Sequence, residues 1–265
     1  MSLLAAAVAG RGLVDPSEPV FAADDEALLR GSAAFETLPV YGGVPFQLEP
    51  HVARLRYSAS TLALPPVDGV EELAALIAGV APDCVMRFYR TERTLLATAA
   101  ALPGDLDEIR RRGVAVRTVD LGAPSELLAG VKSTSYALAF AARRRAVAGG
   151  DDDVLFIGGG LVLEAATANV WWRRGTGLFT PETGAGVLPG VTRQVVRQLA
   201  GELGYVVHEG SFPVSELKGA DEAFETSSVR EVVGIVSIDG APMSNGAPGE
   251  AAVRLEEALR VLSRP

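Results

Sequence analysis

Lysine is nearly absent from this chain of 265 residues: Lys132 and Lys218 are the only two, and the other 22 of its 24 basic residues are arginine. Arginine stays protonated and cannot act as an amine nucleophile. Lysine can lose its proton when desolvated and can form a Schiff base. Cysteine is reduced to Cys84, which excludes an intrachain disulfide. The two histidines, His51 and His208, are too few soft ligands for a zinc site, and neither adjoins a Ser-His-Asp nucleophile motif. No apolar run approaches the roughly 20 residues that span a bilayer. The N-terminal apolar run at residues 3–9 lacks a basic flank and reads as a first strand or extraneous residues rather than a signal peptide. Net positive charge is missing as well. A formal charge of −9 argues against nucleic acid and against an anionic membrane as main partners, although a local arginine cluster can still take a small anion. What remains points to a cytoplasmic setting.

What is present is a globular composition, 48% apolar and 22% charged, in a length that suits one large domain or two modest ones. Residues 32–41 are strand-like, Gly42-Gly43 turns the chain, and residues 44–48 form a hairpin partner. Residues 49–62 read as a helix because Val52, Leu55, Ala59 and Leu62 share a face, and residues 70–80 as a second. Residues 85–89 and 94–101 form another hairpin, with Arg87 and Tyr89 on one face. A helix over 105–112 stops at Gly113, and a strand covers 114–119. Leu121-Gly122-Ala123-Pro124 then breaks regular structure. This predicts an N-terminal α/β domain over 1–118, a linker over 119–125 and a C-terminal domain over 126–265. Within the latter, a helix over 136–147 precedes strands at 153–157 and 161–163, joined by Gly158-Gly159-Gly160. Strands at 169–172 and 177–181 follow. Leu188-Pro189-Gly190-Val191-Thr192-Arg193 leads into a helix that ends at Gly204. Strands at 205–208, 222–226 and 232–238 and a helix over 250–262 complete a mixed α/β chain.

Several residues here can carry chemistry. Lys132 lies between an apolar run and a helix, whereas Lys218 lies in a polar stretch that reads as an exposed turn. On the count alone, a surface lysine and a Schiff-base lysine stand level at position 132. Glu164 ends a strand among Leu, Val and Ala, which is costly unless a cation meets it or it turns to water. The Gly190-Val191-Thr192 step opens a helix, so its free N–H groups and a hydroxyl make either a phosphate cup or an ordinary helix start. Thr226-Ser227-Ser228 is a second hydroxyl cluster, with Arg230 close by, and Arg54 can aim a guanidinium toward a cleft.

In their order these blocks resemble a known family. Gly31 through Phe35-Glu36-Thr37, Gly43, His51-Val52-Ala53-Arg54-Leu55, Lys132 with Tyr136, Glu164 and Asn169, Leu188 to Arg193, and Asp221 to Ser228 are similar to the class IV aminotransferases. The resemblance spans roughly residues 20–240. It implies the two-domain fold-type IV, D-amino-acid aminotransferase-like fold, with pyridoxal 5'-phosphate in the interdomain cleft and no metal. It implies Lys132 as the Schiff-base lysine and proton shuttle, and Glu164 as partner of the pyridine nitrogen. It implies Arg54, Val191, Thr192 and Ser227 or Ser228 around the phosphate, and Tyr136 at the phenolic oxygen. Arg87, Arg90 and Phe35 are candidates for substrate contact, although Arg90-Thr91-Glu92 replaces the usual Arg-Gly step. The core motifs serve transamination and aminodeoxychorismate lysis alike. The compact length and the stretch from Glu164 to Trp172 favour the lyase group, with branched-chain or D-amino-acid transamination as the alternative. The resemblance further implies a homodimer.

Overall fold

The computed structural model of the chain describes residues 3–122 and 128–264. Its contacts fall into two compact units. One comprises Met1–Pro103, Val131–Tyr136 and Ser263–Pro265; the other comprises Gly104–Gly130 and Ala137–Leu262.

The first unit contains β1 (Leu3–Val8), β2 (Gly12–Val14), α1 (Glu26–Arg30), β3 (Ala34–Tyr41), β4 (Val44–Pro45), α2 (Leu48–Thr61), α3 (Val70–Val80), β5 (Cys84–Arg90) and β6 (Leu95–Ala100). The strands form an antiparallel sheet in the order β2-β1-β6-β5-β3-β4. Successive strand residues face opposite sides. On β3 this puts Ala34, Glu36 and Leu38 on the buried side and leaves Phe35 and Thr37 half-buried on the other. Leu38 joins Val52 and Leu55 of α2 and Leu73 and Ile77 of α3 in one core. Burying each such side chain contributes about 1.5–3 kcal/mol. The hairpin partner β4 is shorter than the sequence predicts, because Gln47 takes φ +55° and Leu48 already begins α2.

The segment that carries Lys132 joins this unit, not the C-terminal one in which the sequence places it. The Phe35 amide donates to the Lys132 carbonyl at 3.0 Å and the Thr134 amide to the Ala33 carbonyl at 2.9 Å, so the segment extends the start of β3. Gly31 makes room for it. Its φ is +68°, and a Cβ there would lie 2.8 Å from the Ser135 hydroxyl. The hydroxyls of Thr134 and Ser135 donate to the Gly31 carbonyl at 2.9 and 3.1 Å.

The second unit contains α4 (Leu106–Arg112), β7 (Val114–Asp120), α5 (Ala137–Ala148), β8 (Asp153–Gly158), β9 (Leu161–Ala165), β10 (Asn169–Arg174), β11 (Gly177–Pro181), α6 (Val191–Glu202), β12 (Val206–Gly210), α7 (Val214–Lys218), β13 (Glu222–Ser227), β14 (Glu231–Ile238), β15 (Ala241–Pro242) and α8 (Glu250–Ser263). β9 pairs with both β8 and β10, so the order β10-β13-β14-β7-β8-β9 returns on itself, and β11 and β12 extend it outward. Trp171 and Trp172 are adjacent on β10 and both are 0% exposed, so this strand is covered on both faces. α6 buries Val195, Val196 and Leu199 along one stripe.

The boundary between the units falls before residue 104, not at 118. β7 pairs in parallel with β8 and β14, partners that no local signal announces. Residues 119 and 120 of the expected linker are its last two residues, and 123–125 lie outside the described residues. Lys218 ends a short helix rather than a turn, and its Nζ meets Asp239 at 2.7 Å. Among the described residues no helix is long and apolar enough to cross a membrane.

Candidate active site

In the first unit, Lys132 is half-buried and framed by aromatic rings. Its Nζ lies 3.3 Å from the Tyr136 hydroxyl and 4.6 Å from the centre of the Phe35 ring. Phe35 stacks on Tyr89 at 6.2 Å and meets Tyr136 edge-on at 5.4 Å. The Lys132 backbone is pinned on both sides, since its N–H donates to the Ser58 hydroxyl at 3.0 Å and its carbonyl accepts from Phe35. Phe35 pairs with Tyr89 across β3 and β5, and Thr37 with Arg87, so all four side chains share one face. Burial pushes the Tyr89 phenol up, with the Arg87 charge working against it. Arg90 donates its Nε to the Pro65 carbonyl at 2.9 Å.

On the opposite face of β3 lies a buried network that the sequence does not announce. Glu36 accepts from Nε and Nη2 of Arg54 at 2.7 and 2.9 Å, and it meets Nδ1 of His51 at 2.7 Å. Their exposures are 0%, 8% and 1%. Burial pushes the Glu36 carboxyl up, but the Arg54 charge and the three hydrogen bonds outweigh it and hold the group at about 2. Burial depresses His51, partly offset by Glu36, so the imidazole is neutral near pH 7 and donates its Nδ1–H. Glu36 therefore faces the Arg54 guanidinium and orients it, a pairing that sequence reading does not show. The one signal available is a glutamate at a core-facing position of an apolar strand.

In the second unit, Glu164 lies in β9, one residue before its end. Its Oε2 accepts from Asn169 Nδ2 at 3.2 Å and from the Leu188 amide at 3.0 Å. Asn169 also donates to the Leu188 carbonyl at 2.9 Å. Among the described residues no side chain caps the start of α6, where the Val191 and Thr192 amides lie, and both residues are 5% exposed. Behind them Arg193 is buried, donates to the Pro181 carbonyl at 2.9 Å and stacks on Trp171. Ser227 accepts from the Arg230 amide at 3.3 Å. The turn that holds Ser227 and Ser228 rests on ion pairs. Arg230 reaches Glu225 at 2.6 Å and Asp153 at 3.2 Å, and Arg110 Nε donates to the Arg230 carbonyl at 3.0 Å. Burial raises the Glu225 carboxyl, against the pull of Arg230.

The two units carry different parts of the expected set. The first holds an amine beside a phenol. The second holds a hydrogen-bonded carboxylate, an uncapped helix start and a hydroxyl turn. An amine that can add to a carbonyl, an anion that can meet a ring nitrogen and an anion-binding helix start are the donor set of a phosphorylated aldehyde cofactor.

Comparison with known proteins agrees. The family model described as "Amino-transferase class IV" matches residues 33–238. A putative branched-chain-amino-acid aminotransferase of Methanocaldococcus jannaschii is 30% identical, covering 93% of this chain and 92% of that protein. A bifunctional aminodeoxychorismate lyase / D-amino acid transaminase of Mycobacterium tuberculosis is 29% identical, covering 95% and 97%. Among solved structures, a hypothetical aminotransferase from Mycobacterium tuberculosis in its PLP-bound form superposes with a TM-score of 0.88 at 26% identity, covering 98% of each chain. The chain has the fold-type IV architecture and belongs to the class IV aminotransferases.

Proposed function

We propose that this chain is a pyridoxal-phosphate enzyme that breaks down aminodeoxychorismate, releasing pyruvate and leaving 4-aminobenzoate. The observation that carries the choice of substrate is the placing of the Lys132 amine against Phe35 and Tyr136, with Tyr89 stacked on Phe35. Flat aromatic walls suit a cyclic unsaturated substrate better than a small aliphatic amino acid. Arg87, on the same sheet face as Phe35 and Tyr89, suits a substrate carboxylate.

The cofactor, when bound, would supply an electron sink next to the substrate carbon that bears the amino group. Lys132 would hold the cofactor, and its freed amine would take the proton from the ring carbon that bears the substrate's amino group; the C–O bond to the enolpyruvyl group would break as the ring becomes aromatic, and the proton would pass to the departing enolpyruvate to give pyruvate. Tyr136, 3.3 Å from the lysine Nζ, steadies that amine and serves the cofactor's phenolic oxygen. Glu164 holds a proton on the ring nitrogen. The amides of Val191 and Thr192, the Thr192 hydroxyl, Ser227 and Ser228 bind the phosphate, and Arg54 adds positive charge whose placement Glu36 fixes.

Transamination of a D-amino acid is the second reading, favoured by the relative that bears both activities in its name. The proposed enzyme acts in the cytoplasm as a homodimer. Supplying aminodeoxychorismate and measuring pyruvate and 4-aminobenzoate, beside L- and D-amino acids with 2-oxoglutarate, separates the readings. Keto-acid exchange with no pyruvate from aminodeoxychorismate would reject the lyase. Lys132→Ala should abolish turnover on either substrate while the chain remains folded. Full activity in that variant would remove Lys132 from the mechanism.

A further inference from the structure

Within the second unit, Glu164 and the approach to α6 are joined by one side chain. Asn169 Nδ2 donates to Glu164 Oε2 at 3.2 Å and to the Leu188 carbonyl at 2.9 Å. The Leu188 amide returns to the same Glu164 oxygen at 3.0 Å. Asn169 is 4% exposed and pairs with Glu164 in strand register, the pairing through which β9 and β10 close the ring of strands. Its Oδ1 lies against Gly190, the residue before α6, and a Cβ on Gly190 would collide with it. A planar amide with both directions of Nδ2 committed and its oxygen packed on a glycine has little freedom to turn.

We infer that Asn169 is a positioning residue that fixes Glu164 relative to the entry of α6. The inference rests on the proposed cofactor role of these two groups. A single rigid ligand that carries a ring nitrogen at one end and a phosphate at the other gains from both anchors only if their spacing is held. Asn169 holds it without touching the ligand. Alanine at 169 leaves the Leu188 carbonyl and Glu164 Oε2 each one donor short. Aspartate at 169 replaces donors with acceptors beside a carboxylate, a like-charge contact. Alanine at 190 pushes the amide off its partners from the other side.

The test compares the unaltered chain with Asn169→Ala, Asn169→Ser and Gly190→Ala. Cofactor-free protein is titrated with pyridoxal 5'-phosphate and followed by absorbance. The protonation of the bound ring nitrogen is followed against pH by ¹⁵N resonance on labelled cofactor, and the melting temperature is recorded without cofactor. Asn169→Ala and Gly190→Ala should each bind the cofactor roughly 10- to 100-fold more weakly. The ring nitrogen should lose its proton at lower pH in both, which a purely structural role would not produce. Gly190→Ala should cost far less in an Asn169→Ala background, because the atom it collides with is gone. Asn169→Ser, a smaller change, carries the test if alanine at 169 does not fold. Unchanged affinity and unchanged ring-nitrogen titration in the folded variants would overturn the inference. Failure of the unaltered chain to take up the cofactor would instead overturn the reading on which it rests, and the inference with it.

Discussion

Two carboxylates, one in each unit, are held in opposite ways. Glu36 is fully buried and meets a guanidinium and an imidazole, and its acidity is driven to about 2. Glu164 is half-buried and accepts from a side-chain amide and a backbone N–H on one of its oxygens. The first arrangement spends the carboxylate's charge on the protein itself. The second holds the charge in place through neutral hydrogen-bond donors, within electrostatic reach of Arg193. A buried, fully compensated glutamate is a structural member that orients Arg54. A half-buried glutamate positioned by an amide and a backbone N–H suits the role proposed for Glu164.

The sharpest way to break this contrast is Glu36→Ala, which leaves Arg54 buried without its counter-charge. The expected loss is about 3–5 kcal/mol of stability. Urea unfolding measures it, and a loss under about 1 kcal/mol would show that the pair does not hold the unit together. Glu164→Gln should do the reverse. It keeps the side chain's shape, so stability should change by about 1 kcal/mol or less, while turnover falls on the order of 100-fold as the ring nitrogen loses its anionic partner. Turnover preserved within about twofold in that variant would remove Glu164 from the chemistry.

Acid should expose the difference further. Glu36 ionises at about 2 in the fold against an ordinary 4.5, so its contribution is fully present above 4.5 and fades as pH falls toward 2. His51 is depressed below 6.5, so the unfolded chain takes up its proton first, and stability declines as pH drops below that value. Melting temperatures measured across this range should fall in two stages, and His51→Gln should remove the upper one. A melting temperature flat from pH 7 down to 4 would contradict the buried neutral imidazole. The smallest effect belongs to Lys218→Gln. Its ion pair with Asp239 is half-exposed, so stability and turnover should both stay within about 0.5 kcal/mol of the parent.

The proposed site was legible in sequence where its parts are local. The Gly190 step, the Glu164 strand and the Lys132 stretch each carry a short-range signal, and their order supplied the family. The network behind Arg54 was not legible, because it closes between strand and helix over separations of 15 and 18 residues. A sequence reading that assigns Arg54 to a ligand cannot know that Glu36 already faces it. Lys132 was found, but its unit was not. Residues 131–136 belong with β3 through backbone bonds to Ala33 and Phe35, and no side-chain pattern encodes such a pairing. β7 misplaced the boundary for a similar reason, since parallel pairing with β8 and β14 is non-local. α7 was read as a turn because five residues are too few to display a period.

Both tryptophans of the chain sit side by side on β10, in the second unit, while four of the five tyrosines, Tyr41, Tyr57, Tyr89 and Tyr136, lie in the first. Indole emission therefore reports on one unit alone. The two indoles are not equivalent emitters: Trp171 donates its Nε1 to Thr226 at 3.1 Å under the Arg193 guanidinium, whereas the Trp172 Nε1 has no hydrogen-bond partner among the described residues. The protein carries a built-in optical label on the strand that begins with Asn169. Melting followed by tryptophan fluorescence and by tyrosine absorbance will coincide if the units unfold together and separate if they do not, with no probe attached.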